Sequence, residues 1–172
     1  MNINPKITKA FNHFKGIIHA IGSDGVVTRN EYNDLKLWCK AHEGICTDPP
    51  FNLFYQEVKT IIDTGIMTSE ELHDMIGIMQ RFESKFQIGE ESNRHLHYLQ
   101  GLCYGILADD QINKYEIELL QKWLENNGHY LEKPQFKHLY GLLLQMNDIT
   151  ALNPEQHKLV RNSLTEIVQM ED

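Results

Sequence analysis

Two short acidic segments, 85 residues apart, carry residue types that could bind a divalent cation. Each places aspartate ahead of a glutamate: Asp24 and Glu31 in the first, Asp109, Asp110 and Glu116 in the second. Carboxylate oxygens are the ligands that hard cations such as Ca²⁺ prefer in proteins. These five acids are therefore the candidate metal ligands, and a divalent cation is the only cofactor that the sequence suggests.

The spacing in these segments departs from an EF-hand loop. Aligning Gly25 with the loop glycine puts Glu31 at the bidentate position, but Ala20 and Gly22 then occupy the first and third ligand positions without a carboxylate. In the second segment Asp110 replaces the glycine. We favour a structural interpretation, in which the aspartates accept hydrogen bonds from turn amides and the glutamates complete helix capping boxes. A weaker cation site of different geometry is the alternative.

Other residues with chemical potential show no catalytic or zinc-binding pattern. His95 and His97 are two positions apart, so on a helix they point to different faces, and no HExxH occurs. The chain has no GxSxG, no P-loop and no GxGxxG, and the loop cysteine Cys46 has no identified histidine partner. We therefore expect a protein that is not an enzyme, with no catalytic residues and no bound organic cofactor.

Helices must position the acidic segments, and apolar periodicity predicts four helices in each half of the chain. No segment alternates with the two-residue period of a strand, so we predict an all-α protein. Ser84–Ser92, with Gly89 and two glutamates, is the predicted linker. The apolar stripes that repeat every three or four residues are Ile7–Ile21, Tyr32–Cys39, Phe51–Ile62, Leu72–Phe82, Leu96–Ile106, Ile117–Leu124, Phe136–Met146 and Leu159–Val168.

Four predicted helices begin with the same capping signal. A Thr or Asn stands three residues before a Glu or Gln, so that each side chain can bond the other residue's backbone amide. A hydrophobic residue precedes each capping residue. The pairs are Thr28 with Glu31, Thr68 with Glu71, Asn113 with Glu116, and Asn153 with Gln156.

The acidic segments belong to a longer repeat with a constant offset of 85 residues. Ten identities at one offset predict a tandem duplication of a four-helix unit, residues 1–85 and 86–172, related by pseudo-twofold symmetry. The two units can pack as one domain or as two lobes. The identical pairs are Gly16/Gly101, Asp24/Asp109, Glu31/Glu116, Leu35/Leu120, Trp38/Trp123, Pro49/Pro134, Phe51/Phe136, Tyr55/Tyr140, Asp63/Asp148 and Glu70/Glu155.

A family resemblance rests on the segment from Gly105 to Asp109, followed by Glu116, Leu120 and Trp123. It resembles the signature of TerB-like helical domains, the tellurite-resistance superfamily. The whole chain is similar to a duplicated helical module that precedes BRCT domains in some bacterial proteins, although no BRCT-like segment follows here. The resemblance implies a helical-bundle accessory module in bacterial stress, defence or DNA-maintenance systems, sometimes associated with divalent cations and without a shared reaction.

Charge and composition narrow the classes of partner. The chain carries a net charge of −8, which disfavours direct nucleic-acid binding. We expect a protein partner, and the sequence is also compatible with a homo-oligomer. A basic partner could dock on acids that we expect to be exposed in the second half: Glu90, Glu91, Glu116, Glu118, Glu125 and Glu132.

The expected compartment is the cytoplasm. Three cysteines without metal-ligand spacing fit a reducing environment better than a disulfide framework. The N-terminal residues lack the pattern of a signal peptide, and no apolar run approaches the roughly 18–20 residues that a membrane span needs. The leading expectation is therefore a cytoplasmic, non-enzymatic interaction module, and the alternative is a cation-binding protein that uses the loops at Asp24 and Asp109.

Overall fold

The computed structural model describes residues 4–45, 47–63, 68–86, 94–108, 111–146 and 152–171, and in these ranges the chain is helical without a strand, as the apolar periodicity predicts. Eight α-helices and a short 3₁₀ helix lie in this part of the chain. In order they are α1 (Pro5–Ile21), α2 (Arg29–Ala41), α3 (Phe51–Ile62), α4 (Ser69–Phe86), α5 (Arg94–Leu107), α6 (Lys114–Asn126), the 3₁₀ helix (Gly128–Glu132), α7 (Pro134–Leu144) and α8 (Pro154–Val168).

The predicted capping pairs stand at the helix starts. At α2, Thr28 Oγ1 accepts from the Glu31 amide at 3.2 Å, and Glu31 Oε1 accepts from the Thr28 amide at 2.9 Å. The same reciprocal bonds join Asn153 to Gln156 at α8. They also join the pair at α4, where the Glu71 amide donates to Thr68 Oγ1 at 3.2 Å and the Thr68 amide donates to Glu71 Oε1 at 3.4 Å.

The start of α6 differs from the predicted box in one bond. Asn113 Oδ1 accepts from the Glu116 amide at 2.9 Å, as expected, but Glu116 Oε1 accepts from the Asn113 side-chain amide at 2.7 Å. The side-chain amide of asparagine offers a donor beside its acceptor oxygen; Asn113 uses this donor, whereas Asn153 at α8 keeps the reciprocal backbone bonds. The carboxylate of Glu116 therefore bonds the capping side chain directly.

Two local features differ from the sequence expectation. Helix α4 continues through Phe86, so the first three residues assigned to the linker are helical. The Phe82 and Phe86 rings pack with their centroids 4.9 Å apart, and this contact extends the apolar face of the helix by one turn. The remainder of that segment lies outside the described residues. The 3₁₀ helix after α6 was not expected, and Tyr130 anchors it against Trp123 and Phe136 at 5.3 and 5.4 Å.

Each half of the chain builds its own apolar core. One cluster holds buried residues from Ile7 to Phe82, and the second runs from Leu96 to Ile167 and takes in Ala20 from α1. Both tryptophans are core residues, as predicted: Trp38 is 3% exposed and Trp123 is 7% exposed.

Glycines let α1 and α5 touch backbone to backbone between the two cores. A Cβ added at Gly16 would lie 2.1 Å from Tyr98 O, and one added at Gly101 would lie 2.0 Å from His13 O. One turn further on, a Cβ at Gly105 would lie 2.7 Å from the Cβ of Ala20. Because the contact advances by four residues on both helices, they run in the same direction. Their C-terminal ends therefore lie at the same end of the bundle.

Candidate functional site

The first acidic loop is a hydrogen-bonded turn. Asp24 Oδ1 accepts from the Val26 amide at 3.0 Å, and Gly25 adopts a φ of +79°, which favours glycine. The Gly25 carbonyl accepts from Ser69 Oγ at 3.0 Å and so joins this loop to the start of α4. Asp24 thus serves the turn, as the structural interpretation of its sequence pattern predicts.

The structure brings part of the second segment close to the first. The side-chain amide of Asn113 lies 3.5 Å from Asp24 Oδ2, so the start of α6 borders the Asp24 loop. The glutamates Glu31 and Glu116 are only 5% and 2% exposed and serve as capping partners. The remaining predicted ligands, Asp109 and Asp110, lie outside the described residues. Among the residues that are described, no three His, Cys, Asp or Glu side chains are grouped to hold a metal ion.

The predicted acidic docking face needs a correction. Glu116 was expected to be exposed, but its carboxylate is buried against the start of α6, where it bonds Asn113. The helix-capping position draws this acid inward, so it cannot contribute to a surface. Glu118, Glu125 and Glu132 are exposed as predicted. Glu90 and Glu91 lie outside the described residues.

A groove between α2 and α3 was not predicted. Its volume is about 430 Å³, and apolar atoms make up most of its wall, among them those of Leu37, which is 59% exposed. At one end the Tyr32 hydroxyl donates to the Ile62 carbonyl and ties the two helices together. The residues that line it are Asn33, Lys36, Leu37, Cys39, Lys40 and Glu43 from α2 and the turn after it, and Tyr55, Lys59, Ile62 and Asp63 from α3 and its C-cap.

Three lysines give the groove a basic rim on an acidic protein. Lys36 and Lys40 lie one helical turn apart on α2, and Lys59 lies on α3. All three are exposed, and none forms an ion pair with a carboxylate in the described parts of the chain. Two acids, Glu43 and Asp63, lie at the same rim. The lysines outnumber them, so this surface is locally positive although the chain carries −8 overall.

The corresponding helices of the second half contact each other directly. Gln121, at the position that corresponds to Lys36, donates from Nε2 to the Leu143 carbonyl at 2.8 Å and joins α6 to α7. Glu125 corresponds to Lys40 and accepts from the Tyr140 hydroxyl at 3.3 Å. The basic rim therefore belongs to the first half alone. A comparison of sequence positions 85 residues apart, Lys36 with Gln121 and Lys40 with Glu125, could have indicated this difference.

A partly buried cluster of aromatic and histidine side chains lies beside the α1–α5 contact. His13 Nδ1 accepts from the Trp38 indole at 3.2 Å, His42 stacks on Trp38 with ring centroids 4.0 Å apart, and the Tyr104 ring lies 5.8 Å from His13. Burial, with smaller contributions from His42, His97 and Lys9, lowers the pKa of His13 to about 4. His13 is thus neutral at physiological pH and acts as a hydrogen-bond acceptor in the core.

None of the described helices is both long and apolar enough to cross a membrane. Comparison with protein-family models, curated proteins and solved structures finds no match for this chain.

Proposed function

We propose that this protein is a non-enzymatic interaction module whose α2–α3 groove binds an amphipathic helix of a partner protein. The observation that carries the proposal is an apolar groove in the first half of the chain, rimmed by three lysines that form no ion pair with a carboxylate among the described residues. Recognition of an amphipathic helix in a hydrophobic groove is a recurring mode of protein binding.

The chemistry of the groove selects the kind of helix. Leu37 and Tyr55 offer apolar contact for a leucine or methionine stripe, while Lys36, Lys40 and Lys59 favour carboxylates along its flanks. Because the chain as a whole carries −8, a partner helix with acidic flanks is attracted to this locally positive groove more than to an average part of the surface.

A labelled synthetic helix can test this proposal. The probe carries leucines at i, i+4 and i+7 on one face and glutamates on both sides of that face, and fluorescence anisotropy reports its binding to the full chain. We expect saturable binding that weakens as salt rises, since the lysine contacts are exposed and screened. Lys36→Glu with Lys40→Glu is expected to weaken binding by about tenfold or more, because several charge pairs turn repulsive.

The second repeat offers matched controls. Lys122→Glu with Lys133→Glu makes the same change in net charge on α6 and after the 3₁₀ helix, and it should leave the affinity within about twofold. A probe with its glutamates replaced by lysines should bind less well than the acidic probe. Equal loss in both double variants would show a general charge effect and would refute docking in the α2–α3 groove.

We also propose that the chain is a TerB-like module formed by tandem duplication, in a bacterial stress, defence or DNA-maintenance system of the cytoplasm. Two observations support the duplication. Helices α2 and α6 are each 13 residues long and begin 85 residues apart, and α4 and α8 also begin 85 residues apart. The contacts between α1 and α5 also recur at this offset, since His13 meets Tyr104 while His19 meets Tyr98.

Divalent-cation binding is the second candidate function. What favours it is the close approach of the Asp24 loop to Asn113, a described residue that lies between the predicted ligands Asp110 and Glu116 in the sequence. Thermal unfolding in EDTA and then with calcium, magnesium, manganese or zinc tests it. A ligand that binds only the folded state stabilises it by about 2.7 kcal/mol at a hundredfold excess over its dissociation constant. An ion-specific rise in Tm that is lost in Asp24→Asn with Asp109→Asn would support this function; no rise with any ion would refute it.

A further inference from the structure

Two histidine–tyrosine pairs flank the α1–α5 contact, and their surroundings differ. His13 faces Tyr104, and His19 faces Tyr98. With the offset of 85 residues, His13 corresponds to Tyr98 and His19 corresponds to Tyr104. The Tyr98 hydroxyl lies 2.6 Å from His19 Nδ1. Around His13, aromatic rings fill the space. Around His19, a cavity of about 310 Å³ remains between helices of both halves.

One difference between the repeats coincides with this cavity. In the first half His42 follows Trp38 by four residues and stacks on its indole with an interplanar angle of 21°. In the second half Asn127 stands at the position of His42, and its side-chain amide bonds back to the Trp123 carbonyl at 2.9 Å. The second repeat therefore has no histidine ring at this place, and Trp123 forms part of the cavity wall.

The polar groups of the cavity favour a negative charge. Lys15 Nζ lies 3.0 Å from both carboxylate oxygens of Glu83, which neutralises that acid. Arg94 donates from Nε to His95 at 3.4 Å, and its terminal amino groups bond no acceptor in the described residues. A guanidinium presents those groups as a planar fork that matches a carboxylate.

The neighbouring histidines and Tyr98 add no charge of their own to the cavity at neutral pH. Burial lowers the pKa of His19 and of His95, and burial raises the pKa of Tyr98 to about 12. The tyrosine hydroxyl therefore keeps its proton, and it shares a hydrogen bond with His19 Nδ1. The cavity thus contains two cations, one carboxylate and neutral hydrogen-bonding groups.

We propose that this cavity is a binding site for a small aromatic carboxylate, whose ring packs against Trp123 in the way that His42 packs on Trp38, and whose carboxylate binds Arg94. The cavity volume lies at the lower end of the range for small-molecule sites, which suits a one- or two-ring ligand. The site shares no residue with the α2–α3 groove, so this proposal does not depend on the proposed docking function.

Calorimetric titration of the full chain with three matched probes tests both proposed contacts, that of the ring with Trp123 and that of the carboxylate with Arg94. Benzoate has both the ring and the charge, benzamide lacks the charge, and cyclohexanecarboxylate lacks the planar ring. We expect benzoate to bind at millimolar concentration or below, and each of the other two to bind about tenfold more weakly. No binding of benzoate, or equal binding of either analogue, overturns the proposal.

Two variants place the binding at this cavity. Asn127→His restores the residue of the first half and should fill the cavity, which abolishes benzoate binding. Arg94→Gln keeps a polar side chain without the charge and should weaken benzoate binding by about tenfold or more, since hydrogen bonds to charged groups are the stronger ones.

A distant arginine supplies the control. Arg81 is exposed on α4, where its guanidinium lies 3.8 Å from Glu57, and Arg81→Gln should leave benzoate binding unchanged. A thermal melt of each variant verifies that it is folded. If Asn127→His does not fold, the benzoate affinities of Arg94→Gln and Arg81→Gln are compared instead. Equal affinities in those two variants overturn the assignment of the binding site to this cavity.

Discussion

At the scale of single residues, burial decides which polar groups are available to bind a ligand or a metal ion. Glu31 and Glu116 look like metal ligands in the sequence, yet both are buried capping residues. His13 looks like one of nine scattered histidines, yet it accepts a hydrogen bond from Trp38 in the core. Sequence spacing predicts the capping bonds because they are local. It does not predict the cluster of His13, Trp38, His42 and Tyr104, because residues from more than one helix form it.

The lowered pKa of the half-buried His13 predicts that the protein loses stability in mild acid. The unfolded chain binds a proton near the ordinary histidine pKa of 6.5, whereas folded His13 binds one only near pH 4. Stability therefore falls as the pH drops from about 6.5 towards 4, by as much as about 3 kcal/mol from this residue. Urea unfolding of the wild type and of His13→Gln at several pH values measures this term.

The variant isolates the contribution of His13, because glutamine can still accept from Trp38 and does not titrate. Its free energy of unfolding should fall less steeply between pH 6.5 and 4 than that of the wild type, while His19, whose pKa is also lowered, still contributes. Parallel curves for the two proteins would contradict a neutral His13 in the folded state.

At the scale of elements, the direct contact of α1 with α5 organises the molecule. Each helix alone is predictable, because each has an apolar stripe and most have a capping signal. The pairing of the helices is not predictable in the same way, since it depends on the close approach of two backbones at Gly16, Gly101 and Gly105. The repeat of Gly16 as Gly101 was visible in the sequence, but its reason became clear only where the two backbones touch.

Two glycine variants separate this contact from ordinary helix propensity. Gly101→Ala places a methyl group 2.0 Å from the His13 carbonyl, so the backbones must separate, and we expect a loss of about 1–3 kcal/mol or more. Gly141 lies inside α7 and is exposed, with nothing within 4 Å of an added Cβ. Gly141→Ala should therefore stabilise the protein by about 0.5–1 kcal/mol.

Chemical unfolding of the two glycine variants and the wild type gives the comparison. Opposite signs are expected for the same chemical change, and the difference measures the helix contact. Stabilisation by Gly101→Ala would mean that α1 and α5 do not approach as closely as described.

At the scale of the whole molecule, the two halves share a helical plan and differ in their surfaces. The first half has the lysine-rimmed groove between α2 and α3, and the second half joins the matching helices through Gln121 and Leu143. The sequence predicts the shared plan from its repeated packing residues. It does not predict the groove, because the lysines look like ordinary surface residues until the separation of α2 from α3 is known.

The central functional claim is that this groove, and no other surface, binds an acidic amphipathic helix. The most direct measurement is amide chemical-shift mapping of isotope-labelled protein during titration with the acidic probe helix. The account predicts shifts concentrated at groove residues, among them Leu37, Lys40, Tyr55 and Lys59, with α6 and α7 unaffected. Shifts centred on α6 and α7, or spread evenly over the surface, would contradict it.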